Sequence, residues 1–414
     1  MTPDSGNASN VANSTSTDRP SMNKPATQRP SASDQLHLLT LTPFYPSTAE
    51  DANGCFVSEP LESLSKLGVR NTVLALQPFY RGRPSSRNSA APGEWLQYFS
   101  FPGGVGLSSA GKFAFARIAA RLRNLHKSRP IDLIHAHGAL PCGHAAVLAG
   151  RELNVPYVVS VHGLDAFSTV QVPGFSGERC RHISRRVYEA ASRVICVSEH
   201  VRDSIREEMA ETCSTSVVYN GVDSARFTPT EATAAQKILS VGNLIPIKGH
   251  SHVICAMAAI AGEFPFLQLD IIGDGAGREH LATLTRQLRV EEKVRFLGRQ
   301  SRAQVAEAMR QCTIFALPSR YEALGCVYLE AMACGKPAIG CRGQGIAEII
   351  QHGTNGFLVD ADGEQELASV LSQLLREPAR AHDVGTAARQ TILSGLTLQH
   401  QAANLIRIYR ECLR

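Results

Sequence analysis

The chain has 414 residues, of which 43% are hydrophobic and 19% charged, an ordinary globular composition with enough apolar surface for two cores. Its 42 basic and 37 acidic residues leave a net charge of +5, which does not argue for nucleic acid but leaves room for a local basic patch. Eleven scattered cysteines without a CxxC pair are expected to be reduced thiols in a cytoplasmic setting, and no run approaches the roughly 18 apolar residues of a membrane span.

Residues 1–33 are rich in Ser, Thr, Asn, Pro and Ala and poor in large apolar side chains, so they are expected to form a disordered tail. No apolar stretch follows Met1, so a signal peptide is not expected. From Leu36 onward short β-rich runs alternate with longer helical patterns, which predicts βα units and parallel sheets. The expected strands are Leu36–Leu41, Asn71–Leu76, Ile131–Ala136, Pro156–Val161, Val194–Val197 and Ser216–Tyr219. Between the first two lies a helix, Phe56–Leu67, ended by Gly68. The pattern breaks at the Asn220-Gly221 turn and the polar stretch Thr228–Ala235. It restarts with strands Ile238–Val241, Leu267–Ile272, Val294–Leu297, Thr313–Leu317, Pro337–Gly340 and Gly356–Val359, and closes on helices. The expected fold is α/β, two doubly wound Rossmann-like domains facing a central cleft, with domains at 34–229 and 236–394 and a closing segment at 395–414. In such sheets ligands bind beyond the carboxyl ends of the strands.

The strongest chemical signal follows the strand Thr313–Leu317. Glu322 falls in a loop and Glu330 on the next helix, between Gly325 and Gly335. A carboxylate accepts well from paired ribose hydroxyls, and the amides of Leu324, Gly325 and Cys326, which open a helix, can donate to phosphate or sugar oxygens. The bland alternative is two solvated glutamates. A second loop, Val241–Gly249, places Lys248 just before a helix, where an ammonium can offset charge building on a departing diphosphate without a metal. Alone, that lysine reads as an exposed surface cation. Gly273 begins a glycine turn after a strand, but Arg278 stands where a dinucleotide fingerprint needs its last glycine, so the turn reads as backbone packing beside the donor nucleotide.

In the first half His162 and Gly163 follow a buried-looking strand, with Asp165 two residues on, and His162 is well placed to touch a substrate. His135 and His137 are two apart on a strand and share one face. No Cys or carboxylate completes a zinc set at recognisable spacing, so no metal is expected. Gly54 either lets the backbone approach a phosphate or is a plain turn. Asp360 and Asp362 mimic a metal-binding pair, but beside Gly363 a turn and helix cap is the better reading. The segment 111–129 reads as a helix with Phe115, Ile118, Leu122 and Leu125 on one face and six basic residues without an acid. It would rest on an anionic membrane or, in the preferred reading, pack its stripe on the sheet.

These motifs resemble those of the family-4, group 1 retaining glycosyltransferases, which have the GT-B fold. The resemblance runs from about Leu38 to the C-terminus. It rests first on Glu322 to Glu330 followed by Ala331-Met332-Ala333-Cys334-Gly335-Lys336-Pro337. It rests next on Asn220-Gly221-Val222-Asp223, Val241-Gly242 with Lys248-Gly249, and the stretches Gly345 to Glu348 and Gly353 to Gly356. The resemblance implies that Glu330 binds the donor ribose, Glu322 the sugar end, Lys248 the diphosphate, and that His162 lies near the transferred sugar. It makes 34–229 the acceptor side, with His137 and Asp165 as candidate contacts, and 236–394 the donor side; the last helix, Leu398–Leu413, would cross back to the first domain. One departure stands out: Asn243 occupies the position of an arginine common in the family, and a neutral amide does not replace a bidentate guanidinium. Arg320 or Arg342 is the candidate compensation. Ala323 also replaces a common glycine.

The implied function is retaining transfer of a hexose-type sugar from a nucleotide sugar to a glycan or lipid-linked acceptor, in envelope or exopolysaccharide synthesis. No cofactor, metal or nucleic-acid partner is expected. The rivals are a nucleotide-sugar epimerase, a sugar phosphorylase, and an inactive nucleotide-sugar-binding subunit. The place of action would be the cytoplasm or the inner face of its membrane.

Overall fold

The alternation of apolar β-branched runs with amphipathic helices resolves into two all-parallel sheets, seen in a computed structural model that describes residues 35–48, 50–82, 93–102, 104–163, 172, 174–230 and 236–414. The expected tail and Asp165 lie outside the described residues. The first sheet contains β1 (His37–Thr42), β2 (Arg70–Pro78), β3 (Gly93–Tyr98), β4 (Leu133–His137), β5 (Tyr157–Val161), β6 (Arg193–Cys196) and β7 (Thr215–Val217). Their order is β3-β2-β1-β4-β5-β6-β7. Its helices are α1 (Cys55–Lys66), α2 (Leu107–Ser128), α3 (His144–Leu153), α4 (Gly174–Glu189) and α5 (Glu199–Glu208).

The second half runs β8 (Lys237–Val241), α6 (His250–Ile260), β9 (Gln268–Ile272), α7 (Arg278–Gln287), β10 (Val294–Gly298), α8 (Arg302–Gln311), β11 (Ile314–Ala316), α9 (Cys326–Ala333), β12 (Ala338–Cys341), β13 (Phe357–Val359), α10 (Glu364–Arg376), α11 (Pro378–Gly395) and α12 (Leu398–Cys412). Its sheet order is β10-β9-β8-β11-β12-β13. The strand order reverses between β1 and β4 in one sheet and between β8 and β11 in the other. Those reversals open the crevices in which doubly wound sheets bind ligands.

Central strands are covered on both faces: all of β1, β4 and β5 is buried, as helix-flanked parallel strands require. The edge strand β3 was not foreseen. Its sequence, GEWLQY, has no apolar alternation to mark it, and only two of its residues are buried. Helix α2 settles one alternative: Ala110, Ala114, Ile118 and Leu122 are buried and Phe115 and Leu125 pack against the same core, so its apolar stripe lies on the sheet rather than facing lipid.

Helix α12 lies against the first sheet's helices. Ala402, Leu405, Ile408 and Tyr409 share a buried cluster with Val57, Leu61 and Leu64 of α1, and the Tyr409 hydroxyl shares a hydrogen bond of 2.8 Å with His135 Nδ1. The carboxyl ends of the two sheets meet: Ser198, after β6, donates to the Ala323 carbonyl at 2.5 Å, and a Cβ on Gly163, after β5, would lie 2.7 Å from that of Ala323. None of the eleven cysteines forms a disulfide. Among the described residues no helix is long and apolar enough to cross a membrane.

Candidate active site

The loops after β8 and β11 bring together two residues 74 positions apart. Lys248 ends a short 3-10 turn, Pro246–Lys248, which Gly249 closes in a left-handed conformation before α6 begins. Its Nζ donates to Glu322 Oε2 at 2.6 Å, with both side chains mostly buried. The Arg320 amide donates to the Ile247 carbonyl at 2.8 Å, so the backbones of the two loops are tied as well. From the β12 side, Gln344 Oε1 accepts from the Glu322 amide at 2.9 Å, and the Gly345 amide donates to the Glu322 carbonyl at 3.0 Å. Glu322 is therefore held at both its backbone and its carboxylate.

Gly325 then opens α9 with φ of 83°, a left-handed angle that suits glycine, and a side chain there would strike the Tyr328 ring at 2.4 Å. The turn leaves the first amides of α9, beginning at Cys326, outside the helical ladder, while Leu324 is buried beneath the loop. Gly273 serves by close approach: a Cβ there would lie 1.8 Å from the Gly242 carbonyl oxygen, so only glycine lets the loops after β8 and β9 pass. Asn243 is exposed on the first of these loops. Gly54 caps α1 in a left-handed conformation, close against the backbone of Phe44 and Tyr45.

Glu330, one turn into α9, is 3% exposed and not a solvated glutamate. Its Oε1 accepts from Arg302 Nη1 at 2.6 Å, while its Oε2 is buried without a partner. Arg302 also donates through Nε and Nη2 to the carboxylate of Glu59 on α1, at 3.0 and 3.1 Å, and its guanidinium lies 4.8 Å from the centre of the Phe227 ring. Burial pushes the Glu59 carboxyl up, and the Arg302 charge opposes that rise. One arginine thus joins the helix carrying Glu330 to the first domain. Nothing local announces it: Ser301 and Gln304 form a capping box that marks the start of α8, but Glu59 lies 243 positions away.

Both arginines considered as phosphate compensation are engaged in exposed ion pairs. Arg320 is paired with Asp362, and Arg342 with Asp360 at 2.9 Å and with Glu366 at 2.5 Å. The two aspartates form a turn, with the Gly363 amide on the Asp360 carbonyl at 2.9 Å, but neither side chain caps α10; their charges instead engage these arginines.

In the first domain His135, His137 and His162 stack as a ladder, with ring centres 4.5 and 5.1 Å apart. His137 Nδ1 and His162 Nε2 share a 2.8 Å hydrogen bond, and the His162 ring also packs 4.7 Å from that of Phe56. Burial holds all three imidazoles below their ordinary range, His162 at about 4 and His135 at about 3, so they are neutral at pH 7. His137 is buried, and together with His162, Phe56 and Asn220 it lines a cavity of the first domain. Among the described residues no cluster of His, Cys, Asp and Glu could hold a metal.

Two Rossmann-like sheets meeting at their carboxyl ends, with a lysine–glutamate pair in the loops of the second, define a two-domain glycosyltransferase of the GT-B type. The chain belongs to the family-4, group 1 glycosyltransferases. The family model described as Glycosyltransferase Family 4 matches residues 57–226, and that described as Glycosyl transferases group 1 matches 222–391. It is similar to the N-acetyl-alpha-D-glucosaminyl L-malate synthase of Bacillus anthracis, 28% identical over 309 residues that cover 72% of this chain and 79% of the relative. In structure it resembles sucrose-phosphate synthase from Thermosynechococcus elongatus, with a TM-score of 0.71, 20% identity, and coverage of 91% of this chain and 98% of the other. It also resembles the Anabaena protein HepE, solved in complex with UDP and glucose, with a TM-score of 0.70, 21% identity, and coverage of 91% and 100%.

Proposed function

We propose that this glycosyltransferase moves a hexose-type sugar, with retention at the anomeric carbon, from a nucleotide-sugar donor to a glycan or lipid-linked acceptor in envelope or exopolysaccharide synthesis in the cytoplasm. The observation that carries the reading is the 2.6 Å Lys248–Glu322 pair at the strand-order reversal of the second sheet. There Lys248 supplies positive charge to a departing diphosphate, and Glu322 fixes the ammonium and faces the sugar end. Glu330, with one oxygen held by Arg302, keeps the other as an acceptor for a ribose hydroxyl. The first-turn amides of α9 add donors for phosphate oxygens.

In the proposed step the bond from the anomeric carbon to the diphosphate oxygen breaks while the acceptor oxygen bonds to the same face of that carbon. The acceptor's proton passes to the leaving diphosphate. No protein nucleophile is needed, only a stabilised leaving group and a shielded cleft. With Lys248 in this role no metal is required, and turnover should persist in the presence of a chelator.

The test is a thermal-shift panel of nucleoside diphosphates and nucleotide sugars, because a ligand of the native state raises the melting temperature. We expect one base to dominate the shifts. A panel in which no nucleotide shifts the transition would end the donor reading, and an inverted product anomer in NMR would end the retaining one.

A further inference from the structure

One surface of the first domain lies apart from the residues assigned to the donor. Between Ser63 and Ile131 the chain carries eleven of its 42 basic residues and one of its 37 acidic residues, Glu94, so the remainder is net negative. Glu94 itself accepts from Arg121 Nη1 at 2.9 Å. The same region presents five contiguous aromatic rings. Phe79 and Phe99 stack with centres 5.6 Å apart, Tyr80 meets Phe79 at 5.9 Å, and Phe101 and Phe113 meet Phe99 edge-on at 5.1 and 5.4 Å.

These rings are 39 to 55% exposed. They come from the end of β2, the segment after β3 and the first turns of α2, so separate stretches of chain deliver them to one face. Val105, 64% exposed, adjoins them on the turn whose Gly106 touches the Phe101 backbone. Lys112 and Arg117 are exposed on α2 beside Phe113. A contiguous apolar patch of this kind in water marks a contact surface.

We propose that this face docks the protein on an anionic lipid bilayer, with the rings at the headgroup–acyl boundary and the flanking cations at phosphate level. A polyanionic glycan or nucleic acid fits less well. Such partners stack on open ring faces, but the faces of Phe79 and Phe99 are turned towards each other, 4° from parallel, leaving mainly apolar edges. The helix does not lie in the membrane, since its stripe is in the core; it holds the ring cluster at its N-terminal end. The inference is independent of the donor reading, because vesicle binding requires no turnover.

Co-sedimentation of the full chain with phosphatidylcholine vesicles, with and without phosphatidylglycerol, tests it. We expect pelleting only with the anionic vesicles at low salt. Phe99→Ser with Phe101→Ser should cut the partition coefficient by about tenfold per ring at unchanged charge. Lys112→Glu with Arg117→Glu should cut it as well. Phe101→Ser alone, and the unfolding midpoint of every variant, guard against loss of fold, and the nucleotide-induced thermal shift should be the same in all of them. A wild-type chain that stays in the supernatant overturns the proposal. So does a folded double-Phe variant that pellets like the wild type, which would mean adsorption by charge alone.

Discussion

At the scale of single residues, the proposed donor pocket is built on two carboxylates in different settings. Lys248 and Glu322 neutralise each other at 2.6 Å, so removing the lysine takes away the positive charge proposed to meet the diphosphate. Lys248→Ala should lower kcat by about a hundred- to thousandfold with a smaller change in donor KM, read by steady-state kinetics. Glu330→Ala should mainly raise donor KM, because the proposed ribose contact is one that ground and transition state share. If Lys248→Ala leaves kcat unchanged, the phosphate role is wrong. The histidine ladder makes a separate prediction about pH. His162 is held at about 4 against an ordinary 6.5, so between those values the unfolded chain binds more protons than the folded one. The contribution is complete above pH 6.5 and is lost as pH falls towards 4, a change on the order of 3 kcal/mol for this histidine alone. Melting temperature should therefore drop steeply across that window, and replacing His162 with an uncharged residue should flatten the drop.

At the scale of elements, the contact that matters most joins α8, α9 and α1. Arg302 serves Glu330 and Glu59 at once, and all three side chains are buried or nearly so. Arg302→Met would leave two carboxylates without their cation in a dry setting, at a cost of about 3–5 kcal/mol in urea or thermal unfolding. Adding Glu59→Gln and Glu330→Gln to the same chain should recover much of that loss, since the penalty comes from the stranded charges rather than the missing arginine. This junction also marks how far local pattern reaches. Strand–loop–helix periodicity was enough to place Glu322 in a loop, Glu330 on a helix and Lys248 before one. It could not reveal that Arg302 engages Glu330, or that Arg320 and Arg342 are occupied by Asp362, Asp360 and Glu366. Those are side-chain pairings across separate elements, and ion pairs of this kind have no periodic signature. The edge strand β3 escaped for a related reason: an edge strand needs only one well-packed neighbour, so its apolar pattern is weak.

At the scale of the whole molecule, the α/β alternation was legible because each parallel strand must be covered on both faces, which writes apolar runs into the sequence. How the two domains touch was not, because the contacts join groups on separate elements far apart in sequence. Glu348 illustrates them. Its carboxylate, on the segment Gly345–Glu348 after β12, accepts from the amides of Glu199 and His200 at 2.8 and 2.7 Å and from the Tyr219 hydroxyl at 3.0 Å. A carboxylate of the second domain thus caps the first turn of α5 in the first domain, where the helix dipole favours negative charge. Ser198, the residue before that helix, donates to Ala323 beside Glu322, so the cap and the donor loop are mechanically joined. Glu348→Ala should cost only about 0.5–2 kcal/mol of stability, the ordinary price of a lost cap. Its effect on turnover should exceed what that loss explains, because this contact helps hold together the two domains that, in the proposed function, shield the leaving group. We expect kcat to fall about tenfold at saturating substrate, with the nucleotide-induced thermal shift retained. Glu348→Gln, which keeps an acceptor oxygen for the α5 amides, should recover most of the rate; if both variants turn over like the wild type, the Glu348 cap does not govern closure.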